Sequence, residues 1–179
     1  MANPLPVRER TRREIREQAL RLFAANGYEA TSLQDIASAV GCSKAAVLYH
    51  FDGKAAILTD VLEPAAAALS ALVEKLETLE PATAQLEAIN GLIELSVRFR
   101  GLIPVLTDAP ENVKLQGIVT AAVRIPEFLA GDDDPHGVAL ALFALDGLLA
   151  QCRNRDDYTD DALRDLLEVA MTRLLRPRA

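Results

Sequence analysis

Apolar residues recur every three to four positions along almost the whole chain, and this helical period restricts the fold more than any other feature. Ala and Leu dominate the apolar residues, which make up 50% of the sequence, whereas aromatic residues make up only 4%. This mixture favours helices over strands, and no segment has the pattern of a strand. The sequence therefore predicts an all-α fold.

Cap residues, glycines and prolines divide the pattern into separate helices. A capping box at Ser32 and Asp35 starts one helix, Ser43 can cap the next, and Gly27 is placed to end the first helix in left-handed backbone. Pro64 lies inside a long periodic segment that resumes in phase, so we expect a kink there rather than an end. The predicted helices span residues 8–25, 32–40, 43–50, 54–79, 82–100, 111–129, 135–152 and 160–175, with at most one turn at residues 101–104.

Charge is distributed unevenly along the chain, whose net charge is −7. Residues 1–54 contain eight Lys/Arg and six Asp/Glu, a balance of +2, whereas residues 55–179 contain eleven and twenty, a balance of −9. An acidic body repels DNA everywhere except at a basic face. The overall negative charge therefore does not exclude a nucleic-acid binder, provided that the N-terminal part makes the contact.

The sequence also bears on compartment and redox chemistry. Cys42 and Cys152 form no C-x-x-C pair, and we do not expect a disulfide between them. The N-terminus has no apolar signal-peptide core, and the apolar run Val138–Ala150 is shorter than the roughly 20 residues that span a bilayer. We therefore expect a cytoplasmic protein without a membrane partner.

The acidic loop before the predicted helix 135–152 has two interpretations. Asp132, Asp133, Asp134 and His136 could bind a metal ion, or Asp134 could cap a helix that has Pro135 at its first position. The capped helix is the common arrangement for such a sequence. We therefore expect no metal site and no cofactor.

Two short capped helices joined through a glycine turn, residues 32–40 and 43–50, have the pattern of a helix-turn-helix that recognises DNA. Close helical pairs also occur as plain core packing, so the pattern alone leaves both interpretations open. Residues 31–58, TSLQDIASAVGCSKAAVLYHFDGKAAIL, closely resemble the signature of the TetR family. The shared features are the turn glycine, the Ser-capped second helix, its Tyr-His-Phe end and a Lys three residues later. The resemblance covers about residues 8–62; beyond them it rests on the helix pattern and on Asp146-Gly147-Leu148.

The resemblance implies an architecture and a function. An N-terminal three-helix helix-turn-helix DNA-binding domain, residues 1–53, would precede a larger helical ligand-binding and dimerisation domain, residues 54–179, with about nine helices in all. Such a protein is a dimeric transcriptional repressor. It binds a palindromic double-stranded DNA operator and is released by a small, largely apolar inducer.

The DNA-binding residues that the resemblance implies lie near helix ends. Thr31 and Ser32 stand at a helix N-terminus, where free N–H groups favour a phosphate, although Ser32 also acts as a cap. Lys44 would contact phosphate or a base edge, with guanine as its natural partner. Lys54 opposes the dipole of its own helix, which suggests that it meets phosphate. The expected contact residues are Thr31, Ser32, Ser43, Lys44, Ala46, Tyr49, His50 and Lys54.

Some recognition-helix residues leave alternatives open. Tyr49 could pack within the domain, and His50 could cap the preceding helix instead of contacting DNA. Ala45 replaces a Gly common in relatives, which is harmless in a helix. Leu48 stands where relatives often have Tyr, which removes one potential phosphate contact.

Helix 135–152 is apolar almost all round and must be buried on most sides. Together with the Leu-rich face of 160–175 it can form a four-helix interface with a second copy, as TetR-like proteins do; alternatively both helices serve the core of one chain. Gly147 would allow the helices to approach closely. Asp146 needs a partner if it is buried there, and Arg100 and Arg124 are both possible.

The resemblance implies a ligand cavity enclosed by the middle helices, lined by apolar residues with few polar groups. For each apolar candidate a plain core role is more common than a ligand contact. Asn90 is the exception, because it is a polar residue on a predicted apolar face and invites a hydrogen-bonding ligand or a buried water. The candidates are Leu69, Leu72, Leu86, Ile89, Asn90, Ile93, Phe99, Ile103, Val119, Val123 and Phe143.

Two other classes of function compete with this interpretation. An enzyme is not expected, because His50 and His136 are the only histidines and no nucleophile motif or Gly-rich phosphate loop occurs. A helical protein–protein adaptor that has lost DNA binding is disfavoured by the presence of Lys44, Tyr49 and Lys54.

Overall fold

The computed structural model describes residues 6–110, 113, 115–131, 136–153 and 158–175, and its regular structure within these ranges is entirely helical. The predicted all-α class is therefore confirmed. A 3-10 turn, Arg100–Leu102, precedes the sixth helix. The α-helices are α1 (Val7–Asn26), α2 (Leu33–Val40), α3 (Lys44–His50), α4 (Lys54–Leu76), α5 (Pro81–Arg98), α6 (Ile103–Thr107), α7 (Gln116–Ala130), α8 (Gly137–Arg153) and α9 (Asp160–Leu175).

The observed helices differ from the predicted ones mainly in the middle of the chain. Helix α6 is a complete helix where at most one turn is predicted, because a five-residue helix contains too few residues to show a period. Helix α7 begins at Gln116 rather than at residue 111. The predicted cap residues Asp134 and Pro135 lie outside the described residues.

The chain divides into two compact units. The first consists of Met1–Pro64 together with Pro104–Val113, and the second of Ala65–Ile103 together with Lys114–Ala179. The boundary falls inside α4 at Pro64, and the helix is continuous across this residue. The predicted division after residue 53 separates the DNA-binding helices from the rest of the chain and does not depend on compactness. It stays a prediction.

The core of the first unit forms where α1, α2, α3 and the start of α4 turn their apolar faces inward. Ile15 and Phe23 supply the face of α1, Ile36 that of α2 and Val47 that of α3, and all four are essentially excluded from solvent. Burial of a side chain of this size stabilises the fold by about 1.5–3 kcal/mol. This packing fixes the opposite faces of α2 and α3 toward solvent.

The second unit packs α5, α7, α8 and α9 around a single apolar cluster. Buried residues of α8 recur at helical spacing, namely Ala141, Ala144, Leu148 and Cys152. Gln85 is the notable buried polar residue, and its amide Nε2 donates to the Leu129 carbonyl at 2.9 Å near the end of α7. This hydrogen bond satisfies a carbonyl that the helix itself leaves unpaired.

Helix α4 is long and apolar enough to pass a length-and-hydropathy test for a membrane-spanning helix. Within the part of the chain that the structure describes, 44% of the apolar 18-residue segment of this helix is buried inside the protein. Core helices of soluble proteins pass the same test, so the helix is weak evidence for a membrane span.

Candidate nucleic-acid interface

The start of α2 carries a complete capping box. The Ser32 hydroxyl oxygen accepts from the Asp35 N–H at 3.1 Å, and the Asp35 carboxylate accepts from the Ser32 N–H at 2.8 Å. The hydrogen bonds from Ser32 hold the pKa of Asp35 below its usual value. Ser32, Gln34 and Asp35 are exposed, so the start of this helix is accessible to an anion.

The turn between α2 and α3 has the conformation that the sequence predicts. Gly41 adopts the left-handed region, with φ 78° and ψ 30°, which a glycine reaches without steric cost. Ser43 then caps α3, because its hydroxyl oxygen accepts from the Ala46 N–H at 3.1 Å. The tight turn and the two caps define a helix-turn-helix.

Helix α3 presents one buried and one exposed face. Val47 is fully buried, whereas Lys44, Ala45, Leu48 and Tyr49 are exposed. The exposed set has i, i+3 and i+4 spacing, so its side chains lie on one side of the helix. A helix face of this size fits the major groove of B-DNA.

Tyr49 has two neighbours that fix its ring at the edge of this face. The His50 ring packs edge-on against it, with 5.2 Å between ring centroids. The Arg8 guanidinium lies 5.5 Å from the Tyr49 ring centroid. Tyr49 itself remains 70% exposed, so its ring and its hydroxyl are available to a partner.

Thr31 and Lys54, both predicted DNA contacts, make internal contacts to the turn between α1 and α2. Thr31 is buried, and its hydroxyl donates to the Gly27 carbonyl at 2.8 Å. The Lys54 ammonium donates to the carbonyls of Tyr28 at 2.7 Å and Glu29 at 3.3 Å, and it lies 4.1 Å from the Tyr28 ring centroid. Both side chains therefore hold this turn.

Two residues of this turn network were not predicted. The Tyr28 N–H donates to the Asp108 carboxylate at 2.7 Å, and the Tyr28 ring packs 5.3 Å from that of Phe23. Burial, with a smaller contribution from the charge of Glu29, raises the pKa of Tyr28. Asp108 is 80 positions away in the sequence, so no local pattern could have indicated the contact.

The arginines of α1 fall into different roles. Arg12 donates to the His50 carbonyl at 3.2 Å, pairs with Asp60 and stacks 4.4 Å from the Phe51 ring centroid. Arg16 also approaches Asp60, at 3.8 Å. Arg12 thereby joins α1 to α3 and α4, whereas Arg10 and Arg13 make exposed ion pairs with Glu14 and Glu17 of the same helix.

The predicted ligand-binding residues do not share one environment. Four are core residues of the second unit: Leu72, Ile89, Ile93 and Ile103. Two are partly buried: Leu69 and Phe99. Five are exposed: Leu86, Asn90, Val119, Val123 and Phe143. Asn90 is exposed rather than part of the core cluster, because the helical period identifies a stripe but not its exact edges.

Helices α8 and α9 leave an apolar surface exposed, which we call the α8–α9 face. Its large apolar residues are Val138, Leu142, Phe143, Val169 and Leu174, of which Phe143 is 77% exposed. A groove of about 310 Å³ also lies between these helices. It is lined by Ala144, Gly147, Leu148, Gln151, Tyr158, Leu166, Leu167, Ala170, Met171 and Leu174, none of which was among the predicted ligand residues.

Asp146, which would need a partner if buried, is exposed on α8. The two arginines considered as partners bind elsewhere. Arg100 pairs with Asp160 at 3.0 Å, and Arg124 pairs with Glu77 at 3.4 Å. Asp146 therefore needs no buried countercharge within one chain.

Asp132, Asp133 and Asp134, three of the four residues considered for a metal ion, lie outside the described residues. Among the residues that are described, no group of three or more His, Cys, Asp or Glu side chains is arranged to hold a metal ion. Cys42 and Cys152 are free thiols.

Comparison with known proteins identifies relatives of the N-terminal region. Residues 15–61 match the family described as bacterial regulatory proteins, tetR family. The HTH-type transcriptional regulator AcrR of Shigella flexneri is 38% identical over 55 residues, which cover 31% of this chain and 26% of AcrR. IcaR of Staphylococcus aureus strain Newman, the HTH-type negative transcriptional regulator of the biofilm operon icaADBC, is 46% identical over 44 residues, 25% of this chain and 24% of IcaR.

This chain spans about a quarter of the length of the curated relatives it matches. Structural similarity extends much further. The TetR family transcriptional regulator PfmR from Thermus thermophilus has a TM-score of 0.67 at 25% identity, over 92% of this chain and 98% of PfmR. These similar proteins are transcriptional regulators rather than enzymes.

Proposed function

We propose that this chain, whose residues 15–61 match the tetR family of bacterial regulatory proteins, is a cytoplasmic transcriptional repressor. It binds a palindromic operator as a homodimer and leaves the operator when a small, largely apolar molecule binds. One observation carries the DNA-binding part. The family match at residues 15–61 coincides with a folded helix-turn-helix whose second helix exposes Lys44, Leu48 and Tyr49.

The proposed contacts place α3 in the major groove. Lys44 would donate to a guanine or a phosphate. The N-terminus of α2, at Ser32, would bind a nearby phosphate of the DNA backbone. Tyr49, with Arg8 beside it, would contact the backbone at the far end of α3. The hydroxyl of Ser43 and the backbone around Ala46 and His50 complete the proposed surface.

Thr31 and Lys54 have a different role in this proposal. Their polar groups bind carbonyls of the α1–α2 turn at 2.7–3.3 Å, so they contribute by fixing the start of α2. A phosphate at the α2 N-terminus is bound by backbone N–H groups, whose positions depend on this turn. Loss of either side chain therefore weakens DNA binding indirectly.

The α8–α9 face supports the homodimer. Val138, Leu142 and Phe143 are 50%, 49% and 77% exposed in a single chain. Apolar surface of this extent usually marks a protein interface. A second copy related by two-fold symmetry would bury the same residues on both chains, and a two-fold-symmetric dimer matches the symmetry of a palindromic site.

Ligand release is proposed to act through α4. Four predicted lining residues from α5 and its neighbours, Leu72, Ile89, Ile93 and Ile103, lie in one core cluster. An apolar molecule that enters this cluster favours a different packing of α4, and α4 also contains Lys54. A coupling of about 1–3 kcal/mol changes operator occupancy roughly 5- to 150-fold.

The test of the proposed function is a gel-shift assay with DNA from beside the chain's own gene, backed by selection from a randomised duplex library. We expect one enriched two-fold-symmetric sequence, bound far more tightly than unrelated DNA. Equal affinity for all duplexes would contradict sequence-specific repression.

Ligand release is tested separately. A molecule that frees the protein from its operator should also raise the unfolding temperature of the free protein. Ile89→Val should weaken that stabilisation, and the exposed control Val123→Ala should not.

A further inference from the structure

We propose that α3 recognises its operator chiefly through the methyl groups of thymine, with Leu48 as the contacting side chain. The inference rests on the proposed DNA-binding function and adds the base that the helix selects. It is carried by the chemistry of α3 and by the exposure of one side chain.

The side-chain inventory of α3 leaves few ways to distinguish base pairs. Bases in the major groove are recognised by Arg or Lys on guanine, Asn or Gln on adenine, Asp or Glu on cytosine, and apolar side chains on the thymine methyl group. The sequence of α3, KAAVLYH, contains no Arg, Asn, Gln, Asp or Glu. Lys44 on guanine and an apolar contact with thymine are therefore the main specific contacts that this helix can make.

Leu48 is the apolar side chain in position to make that contact. It is 45% exposed, and it lies one turn from Lys44 and Ala45 on the exposed face of α3, opposite the fully buried Val47. The methyl side chain of Ala45 leaves room for a base edge to approach Leu48. In residues 6–64 the exposed large apolar side chains are Val7, Leu48 and Tyr49. Two of these three, Leu48 and Tyr49, are neighbours on α3.

The surroundings of Leu48 favour DNA over another protein as the partner. Residues 1–54 carry a balance of +2 in an otherwise acidic chain, and Lys44 shares the exposed face with Leu48 while Arg8 approaches the neighbouring Tyr49. A basic rim around a small apolar centre complements phosphate strands flanking a methyl-bearing groove floor.

The experiment replaces thymine by deoxyuridine, which removes only the methyl group. An operator is first selected from a randomised duplex library with wild-type protein, and each thymine is then exchanged in turn. We expect one or two positions per half-site at which the exchange weakens binding about fourfold, and about fifteenfold when both half-sites are changed. Leu48→Ala should bind more weakly and lose this sensitivity.

Two further variants sharpen the test. Leu48→Gln should change the selected base at the sensitive position from thymine to adenine. Lys44→Ala, the matched control on the same face, should weaken binding but retain the deoxyuridine effect. Circular dichroism checks that each variant is folded, which is expected because both side chains are exposed.

The possible failures are distinguishable. If a sequence is enriched but no deoxyuridine exchange weakens wild-type binding, or if Leu48→Ala keeps the full sensitivity, methyl recognition by Leu48 is overturned and the proposed function stands. If the library yields no enriched sequence, sequence-specific binding itself fails, and this inference fails with it.

Discussion

Two surfaces of this protein expose large apolar side chains, and they differ in what surrounds those side chains. On α3, Leu48 and Tyr49 are exposed beside Lys44 and near Arg8. On the α8–α9 face five large apolar side chains are exposed, and Phe143 is the most exposed of them. The charged residues of α8 and α9 are mostly acidic.

The difference shows that apolar exposure alone does not identify a partner. A basic rim around one or two apolar side chains suits a polyanion with methyl groups in its groove. A broad apolar surface with an adjacent groove suits a protein surface of the same kind. Substitutions on each surface test whether it has the partner assigned to it.

The largest effect is expected from a charge on the α8–α9 face. Phe143→Arg should weaken dimerisation about a thousandfold, because each dimer would bury two unpaired guanidinium groups at the proposed interface. The single chain should still fold, since Phe143 is 77% exposed in it. Sedimentation over a range of concentrations measures the change, and Leu142→Arg or Leu166→Arg should act in the same direction.

Two control variants separate the surfaces. Val123→Arg places the same charge on an exposed residue of α7 and should leave the dimer intact. Leu48→Arg should also leave the dimer intact but alter DNA binding. A Phe143→Arg protein that remains fully dimeric would show that the second copy binds elsewhere.

A smaller effect is expected where the turn supports the DNA-binding surface. Gly27 has φ 85° and ψ 159°, a region that is essentially restricted to glycine, and a Cβ added there would lie 3.1 Å from the Asp108 carboxylate. Gly27→Ala should therefore lower the free energy of unfolding by about 1–3 kcal/mol. Denaturant unfolding measures the loss, and an Asp108→Ala background separates backbone strain from the close contact. Unchanged stability would remove Gly27 from the turn network.

The sequence predicts the helix-turn-helix well because its signals are local. The caps at Ser32 and Ser43 and the glycine at Gly41 depend on residues within a few positions, and the structure has all three. Gly27 was expected to be left-handed helical, but its ψ is near extended because Thr31 and the distant Asp108 shape this turn.

Contacts between distant segments explain the features that the sequence did not predict. Lys54 has the sequence position of a phosphate contact, yet its ammonium binds carbonyls 25 and 26 residues earlier. Phe143 fits the period of a buried stripe, but the period does not show that the stripe faces outward from one chain. Assignment of the α8–α9 face therefore needed three-dimensional packing.

Two lysines should respond differently to the same substitution. Lys44 is exposed on α3, so Lys44→Ala should reduce the salt dependence of DNA binding by about one unit of slope per half-site without lowering the unfolding temperature. Lys54→Ala removes two hydrogen bonds and a cation–π contact within the fold, so it should lower the free energy of unfolding by about 1 kcal/mol. Salt-dependent gel shifts and thermal unfolding measure both quantities. Equal salt slopes for Lys54→Ala and Lys44→Ala would instead show that Lys54 contacts phosphate.

The smallest expected effect concerns the carboxylate that caps α2. The folded protein holds the pKa of Asp35 below 3.8, its value in the absence of these interactions. The charged carboxylate therefore stabilises the folded state above that pH, and this contribution is lost as the pH falls below 3.8 through the folded-state pKa. The unfolding temperature of wild type should exceed that of Asp35→Asn at neutral pH, and the difference should shrink as the pH falls below 3.8 through the folded-state pKa.

Ser32→Ala provides the matched control for this pH dependence. It retains the Asp35 carboxylate but removes the hydroxyl that hydrogen-bonds to it, which is the largest cause of the lowered pKa. The difference between Ser32→Ala and a Ser32→Ala, Asp35→Asn double variant should therefore vary less with pH than the difference between wild type and Asp35→Asn. Thermal unfolding in matched buffers measures both differences. If they vary identically, the Ser32 hydroxyl does not tune the pKa of this carboxylate.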